Sequence, residues 1–391
     1  MMNQEEASWR LERDTTLSQA RSIVFKVGSA VITNEQGLDE TRLQALAAQI
    51  ISVWRALPSR KLVLVTSGAV ACGKAILAKF NKDYTIAGLS AKQAVAAIGQ
   101  AQLMHAWDRV FQPYTQPTAQ VLLTREDLHA RTHFLNIRNT FAELLDMHIL
   151  PIVNENDTVS VKELTFGDND SLASLLVNLV DAELCVNLTS AQGVFACDPK
   201  KDPHAKILTH IEDVANLNLT EMCGSKTHVG TGGMYSKLRA ARRCAQLGVP
   251  TLILSGREPE LISQAFTPGS TLGTWICKQK SPIPRRKYWL AYQDDPQGSL
   301  TIDAGAAEAL LHGGSSLLPQ GIRELTGDFA KGALVKIVSA DNELGVGLSN
   351  YSAKELLEII GLKRIEVAAK LGNAHYPCVI HRDNMVLHAV V

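Results

Sequence analysis

From Arg21 onward the chain alternates between short runs of apolar, β-branched residues and longer segments whose apolar positions recur at helical spacing. Ser22 to Val27 and Lys61 to Val65 read as strands. Between them Asp39 is placed to cap a helix whose Leu43, Leu46, Ala47, Ile50 and Trp54 share one face. Strand, helix, strand in that order predicts a parallel pair. Further strand-like runs at Ala119 to Leu123, Ile149 to Val153, Leu184 to Leu188 and Thr251 to Leu254 alternate with helical stretches, including Ser171 to Val180 and Met234 to Leu247. The pattern is that of an α/β fold, an open and mostly parallel sheet sandwiched by helices.

The pattern changes after Cys277. The segment KQKSPIPRRKYW combines prolines with a cluster of basic residues, which suits an exposed linker. Beyond Gly298 the runs become short and are divided by glycines, as in GSLTID, GALVKIV and LGVGLS, and predict a small β-rich barrel. The expected organisation is an extension over residues 1–20, an α/β domain over 21–279, a linker over 280–297 and the β-rich domain over 298–391. A length of 391 residues supports two cores, and 46% apolar residues can fill them. Residues 1–20 read as a polar arm or short helix.

The formal net charge is zero, which removes any general electrostatic case for nucleic acid or an anionic membrane as partner. Seven scattered cysteines show no metal spacing and suit buried free thiols in a reducing cytoplasm. No apolar run is long enough to span a bilayer and the charged start does not resemble a signal peptide, so a cytoplasmic protein with no membrane partner is expected.

Ligands of open α/β sheets collect where strands end, so the loops after the strands are the places for chemistry. The stretch GTGGMYSK, Gly230 to Lys237, opens a helix: glycines admit a close anion, the helix N-terminus favours negative charge, and Lys237 adds a cation. Lys26 lies inside an apolar strand, where a lysine is costly unless it meets an anion. Thr66, Ser67, Gly68 and Ala69 offer a hydroxyl and bare amides for a carboxylate or phosphate. Asn154 to Asp157 and Gly167 to Asp170 form two acidic and amide clusters suited to an ammonium group, a metal or lysines, and neither has the ligand spacing of a calcium loop. Asp170 also stands where it could cap the following helix.

Gly68 to Lys74 satisfies GxxxxGK, but alanine follows where a P-loop needs a hydroxyl, and the match reads as chance. No Ser/His/Asp or Cys/His set can be assembled, and His105, His129 and His133 have no companion at ligand spacing. Phosphoryl transfer needs none of them, because it rests on positioning and on cations around the transferred group.

In this order the elements resemble the amino acid kinase family, and within it the bacterial glutamate 5-kinases, over about residues 21–385. The motifs are KVGS at 26–29, SGA at 67–69, NENDTV at 154–159, GDND at 167–170 and GTGGM at 230–234. GSSLLPQGI at 314–322, GDFAKG at 327–332 and HRDNM at 381–385 resemble a PUA domain. The resemblance implies an amino acid kinase fold and a PUA barrel, with attack of the glutamate γ-carboxylate on the γ-phosphorus of ATP to give L-glutamyl 5-phosphate for proline synthesis. Lys26 and Lys237 match the lysines that grip the ATP phosphates, and Asp170 the aspartate that organises them. Ser67, Asp157 and Asn169 match glutamate-binding positions, with Gly68 and Asn154 close by. Thr189 and Ser190, with Thr231, Gly232, Gly233, Met234 and Lys237, match the nucleotide site. Magnesium is implied through the ATP oxygens, without a protein metal site of its own. Proline as feedback inhibitor, a γ-glutamyl phosphate reductase as functional partner and a homo-oligomer are implied in the same way.

The nucleotide motif of the family carries an aspartate and a tyrosine where this chain has Ser190 and Phe195, so contacts to base and ribose are expected to differ. Kinases of the same family acting on aspartate, acetylglutamate, carbamate or UMP would share the lysines and glycines, but not NENDTV with GDND and a PUA tail. RNA binding by the tail is the other alternative; its few aromatics (Phe329, Tyr351, Tyr376) and its Lys331, Lys336, Lys363 and Arg364 give that reading little support.

Overall fold

Lys26 is carried by the middle of a large sheet, in register between Val65 on one neighbouring strand and Asn187 on the other. The structure, a computed structural model, describes residues 4–80, 85–160, 169–199, 202, 204–223, 233–291, 296–340, 342–371, 376 and 378–387. The chain divides into two units, Met1–Pro282 and Ile283–Val391.

The sheet of the first unit contains β1 (Ser22–Val27), β2 (Lys61–Val65), β3 (Thr118–Leu123), β4 (Leu150–Glu155), β5 (Leu184–Thr189), β6 (His210–Ile211), β7 (Thr251–Ser255) and β8 (Thr274–Ile276). Their spatial order is β3-β4-β2-β1-β5-β7-β8-β6. All neighbours are parallel except β7 and β8. The ends of β1, β2, β4 and β5 therefore open along one edge, which gathers four loops distant in sequence.

Helices follow the strands as the apolar periodicity predicts. The first unit has α1 (Gln4–Gln19), α2 (Glu40–Arg55), α3 (Ala69–Phe80), α4 (Gly88–Phe111), α5 (Asn169–Leu179) and α6 (Met234–Gln246). Asp39 caps α2 by accepting from the Arg42 amide, and Leu43, Leu46, Ala47, Ile50 and Trp54 are buried beneath it. Helices α3 and α4 meet almost backbone to backbone: a Cβ at Gly73 would lie 1.9 Å from the Val95 carbonyl oxygen, and one at Gly99 would lie 1.8 Å from that of Ala69.

Where an extension is expected over residues 1–20, Gln4–Gln19 form a helix built into the first core. Trp9, Arg13 and Leu17 follow one another at intervals of one turn on its buried face. Trp9 stacks on His210 with ring centroids 4.6 Å apart, and Arg13 donates to the Leu272 carbonyl at 2.8 Å. Arg60, also buried, donates to the carbonyls of Leu17 at 3.1 Å and Ala20 at 2.8 Å, tying off the helix end. An arginine in the middle of the buried face hides this stripe from an apolar pattern.

In the second unit, the stretch expected as linker contains helix α7 (Arg285–Ala291), whose Tyr288 and Leu290 are buried despite their basic neighbours. Leu290 packs with Leu334, Val346 and Val386. A five-stranded sheet follows, made of β9 (Gly298–Ile302), β10 (Ile322–Thr326), β11 (Leu334–Ser339), β12 (Asn342–Leu348) and β13 (Met385–Leu387) in the order β10-β9-β11-β12-β13. Short helices cover it, and its core includes Leu300, Ile322, Val335, Ile337, Leu356 and Ile380.

Candidate active site

Lys26 at the end of β1, Asp170 in the first turn of α5 and Lys237 in the first turn of α6 converge in a buried cluster with 3%, 0% and 5% exposure. Lys26 Nζ lies 2.6 Å from Asp170 Oδ1, and Lys237 Nζ lies 3.1 Å from Asp170 Oδ2. Ser236 Oγ donates to Oδ2 at 2.6 Å and Asn187 Nδ2 to Oδ1 at 3.0 Å. Asp170 thus spends its oxygens on these four side chains.

Burial alone would push the Asp170 carboxyl up. The ammonium groups of Lys26 and Lys237, with the hydrogen bonds from Lys26 and Ser236, outweigh it and hold Asp170 well below the usual carboxylate range. Lys237 responds the other way. Desolvation lowers it, Asp170 raises it and Lys26 lowers it again, leaving it at about 8. Lys26 and Lys237 thus bring two ammonium groups to one carboxylate. Neighbouring buried ammonium groups favour an anion beside them.

A second, neutral network adjoins the first. Asn169, next to Asp170 in the chain, donates through Nδ2 to Ser67 Oγ at 2.8 Å and to Asn154 Oδ1 at 3.0 Å. Asn154 Nδ2 donates to Gln100 Oε1 at 2.8 Å. With its lone pair engaged by Asn169, the Ser67 hydroxyl has its own proton to offer. Gly68 follows with φ +116°, in the left-handed region, and turns the chain from β2 into α3. Asp157 is pushed up to about 6 by burial and by the neighbouring charge of Glu155. No hydrogen bond or ion pair to a described residue holds its carboxylate.

Of the residues expected to meet the nucleotide, Gly233 is the N-cap of α6, and a Cβ built there would meet nothing within 4 Å. Met234 begins the helix. Thr231 and Gly232 lie outside the described residues. Thr189 ends β5 and accepts from the Gly256 amide at 2.9 Å, while Ser190 is exposed just beyond it. Phe195 is half-buried and bridged to Ile207. The GxxxxGK match at Gly68 to Lys74 falls on the first turns of α3, not on an open loop.

Sequence reasoning names Lys26, Asp170 and Lys237, and Ser67, Asn154 and Asn169, and each set is in contact in the structure. It misses Gln100, Asn187 and Ser236. Asn187 left a signal, a lone amide in the apolar run LCVNLT, which is buried throughout. Gln100 left none, being one of several polar residues on a long helix.

Residues 21–255 match the amino acid kinase family and residues 298–371 match the PUA domain. Curated relatives named glutamate 5-kinase share the length of the chain. One from Nitratidesulfovibrio vulgaris (strain DP4) is 54% identical over 98% of this chain and 100% of its own. One from Oleidesulfovibrio alaskensis is 53% identical over 98% and 100%, and one from Geobacter sulfurreducens is 41% identical over 96% and 100%. The chain belongs to the amino acid kinase family, among the glutamate 5-kinases.

Proposed function

We propose that this protein transfers the γ-phosphoryl group of ATP to the side-chain carboxylate of L-glutamate, giving L-glutamyl 5-phosphate, the first step of proline biosynthesis. The observation that carries the reading is the adjacency of Asn169 and Asp170: one dipeptide at the start of α5 sends one side chain into the amide network and the other into the lysine cluster. An amino acid held by the first is thereby presented to a phosphate held by the second.

The Ser67 hydroxyl and the amides after Gly68 suit a carboxylate, while Asp157 suits an ammonium group. A glutamate carboxylate is ionised at neutral pH, so it attacks without a general base. A bond forms between its oxygen and the γ-phosphorus, the bond from that phosphorus to the β-phosphate oxygen breaks, and ADP leaves with the electron pair. Lys26 and Lys237 stabilise the charge on the transferring group, and Asp170 keeps both in place. Both Asp170 oxygens are already engaged, so magnesium fits as a companion of ATP, held by phosphate oxygens and water, where it neutralises phosphate charge. A cytoplasmic location, inhibition by proline, a homo-oligomeric state and consumption of the acyl phosphate by a reductase complete the proposal.

The test is ATP turnover with glutamate, aspartate and acetylglutamate as separate acceptors, trapping acyl phosphate with hydroxylamine. Hydroxamate with glutamate and not with the other two supports the reading; hydroxamate with another acceptor, or with none, overturns it.

A further inference from the structure

Asn154 is clamped at both ends of its amide. Its Oδ1 accepts from the backbone N–H of Glu155 at 3.0 Å, and its Nδ2 donates to Gln100 Oε1 at 2.8 Å. Asn154 is 2% exposed, so a nitrogen deprived of Gln100 would have no water to turn to. Held this way, Asn154 presents its oxygen to Asn169 Nδ2, and Asn169 in turn engages the Ser67 oxygen.

Gln100 itself is left incomplete, since its Nε2 is buried and has no hydrogen-bond partner among the described residues. Burying an unpaired donor is unfavourable, and an apolar side chain of the same length would fill the space without that penalty. The glutamine is explained by what its oxygen does for Asn154. Its placement is also built in: the close approach at Gly99, the preceding residue, lets α4 lie tight against the start of α3. Seven residues earlier on the same face, Gln93 Nε2 donates to the Ser160 carbonyl at 3.0 Å, so α4 holds both ends of the segment that carries Asp157.

We infer that Gln100 is a positioning residue for the amino acid substrate: by clamping Asn154 it sets, through Asn169, the direction in which Ser67 offers its proton. This deepens the glutamate-kinase reading and rests on it. Gln100 acts through Asn154 on the amino acid half of the site and leaves the lysine cluster untouched.

The experiment is a double-mutant cycle on the full chain, with Gln100→Met and Asn154→Ala made singly and together, reading KM for glutamate, KM for ATP and kcat. Gln100→Met is expected to raise KM for glutamate about tenfold, the loss of one orienting hydrogen bond, with KM for ATP changed by less than about twofold. In the Asn154→Ala background the same change is expected to do nothing further. Gln100→Asn, which stays polar but withdraws the acceptor, replaces the methionine variant if that one does not fold, with the same expectation. Additive effects in the cycle, an equal rise in both KM values, or an unchanged KM for glutamate would overturn the inference. Failure of the underlying reading shows separately, as absence of glutamate turnover by the unaltered protein, and takes this inference with it.

Discussion

Lys26 and Lys237 reach Asp170 from a strand and a distant helix and bind opposite oxygens of its carboxylate, at 2.6 and 3.1 Å. Three charges, two of one sign, are thus packed where almost no water reaches.

The arrangement orders the effects of removing its members. Asp170→Asn removes the carboxylate that both buried ammonium groups contact and is expected to destabilise the fold by about 3–5 kcal/mol while abolishing measurable turnover. Lys237→Ala leaves the balanced Lys26 and Asp170 pair, so it should cost far less stability yet lower kcat by about 100- to 1000-fold. Thermal unfolding beside steady-state kinetics checks the order. A Lys237→Ala protein less stable than the Asp170→Asn protein would contradict this order.

Two limbs of the pH profile should separate by substrate. Asp157 titrates at about 6, so below that it takes up a proton and can no longer pair with an ammonium group; KM for glutamate should rise as pH falls through 6. Lys237 titrates at about 8, so above that it loses its proton and its attraction for phosphate; KM for ATP should rise as pH increases through 8. Asp157→Asn should raise KM for glutamate and erase the acidic limb alone. Measuring each KM with the other substrate saturating, from acid to alkaline pH, tests both.

Helix α1 should behave as part of the core. Trp9→Ala removes a side chain that is 2% exposed and stacked on His210, and is expected to lower stability by about 3–5 kcal/mol. Denaturant unfolding followed by far-ultraviolet circular dichroism measures it; an unchanged midpoint would mean that the helix is dispensable.

Gly99→Ala should be poorly tolerated although alanine favours helices. The added methyl would sit 1.8 Å from the Ala69 carbonyl oxygen, so α3 and α4 must part, at a loss of about 1–3 kcal/mol or more. Separation of these helices also moves Gln100, so KM for glutamate should rise together with the drop in melting temperature. Ala97→Gly on the same helix, a residue exposed to solvent, serves as the comparison and should leave that KM unchanged.

The sequence makes the lysine cluster and its surroundings legible because chemistry there contradicts local pattern: a lysine in an apolar strand, glycines before a helix, clustered acids and amides after strands. The same logic exposes six strands of the sheet, β1 to β5 and β7, but not β6 and β8, whose two and three residues are too short to carry a pattern. It does not expose α1, whose buried face carries Arg13 between Trp9 and Leu17, nor α7, where two buried residues stand among basic ones. Gln100 and Ser236 escape for a different reason. Their importance lies in hydrogen bonds to residues far along the chain, and a polar residue on a helix gives no sign of such a partner.

The most direct test of the central claim follows oxygen. Glutamate carrying heavy oxygen in its side-chain carboxylate is incubated with the protein, ATP and magnesium, the acyl phosphate is cleaved by attack of hydroxylamine at its carbonyl carbon, and the released phosphate, which keeps the bridging oxygen, is analysed by mass spectrometry. One heavy oxygen is expected in each phosphate, with the corresponding hydroxamate, and both are expected to form about 100- to 1000-fold more slowly with the Lys237→Ala protein. Phosphate released without label would mean that water, not glutamate, receives the phosphoryl group, and would contradict the claim.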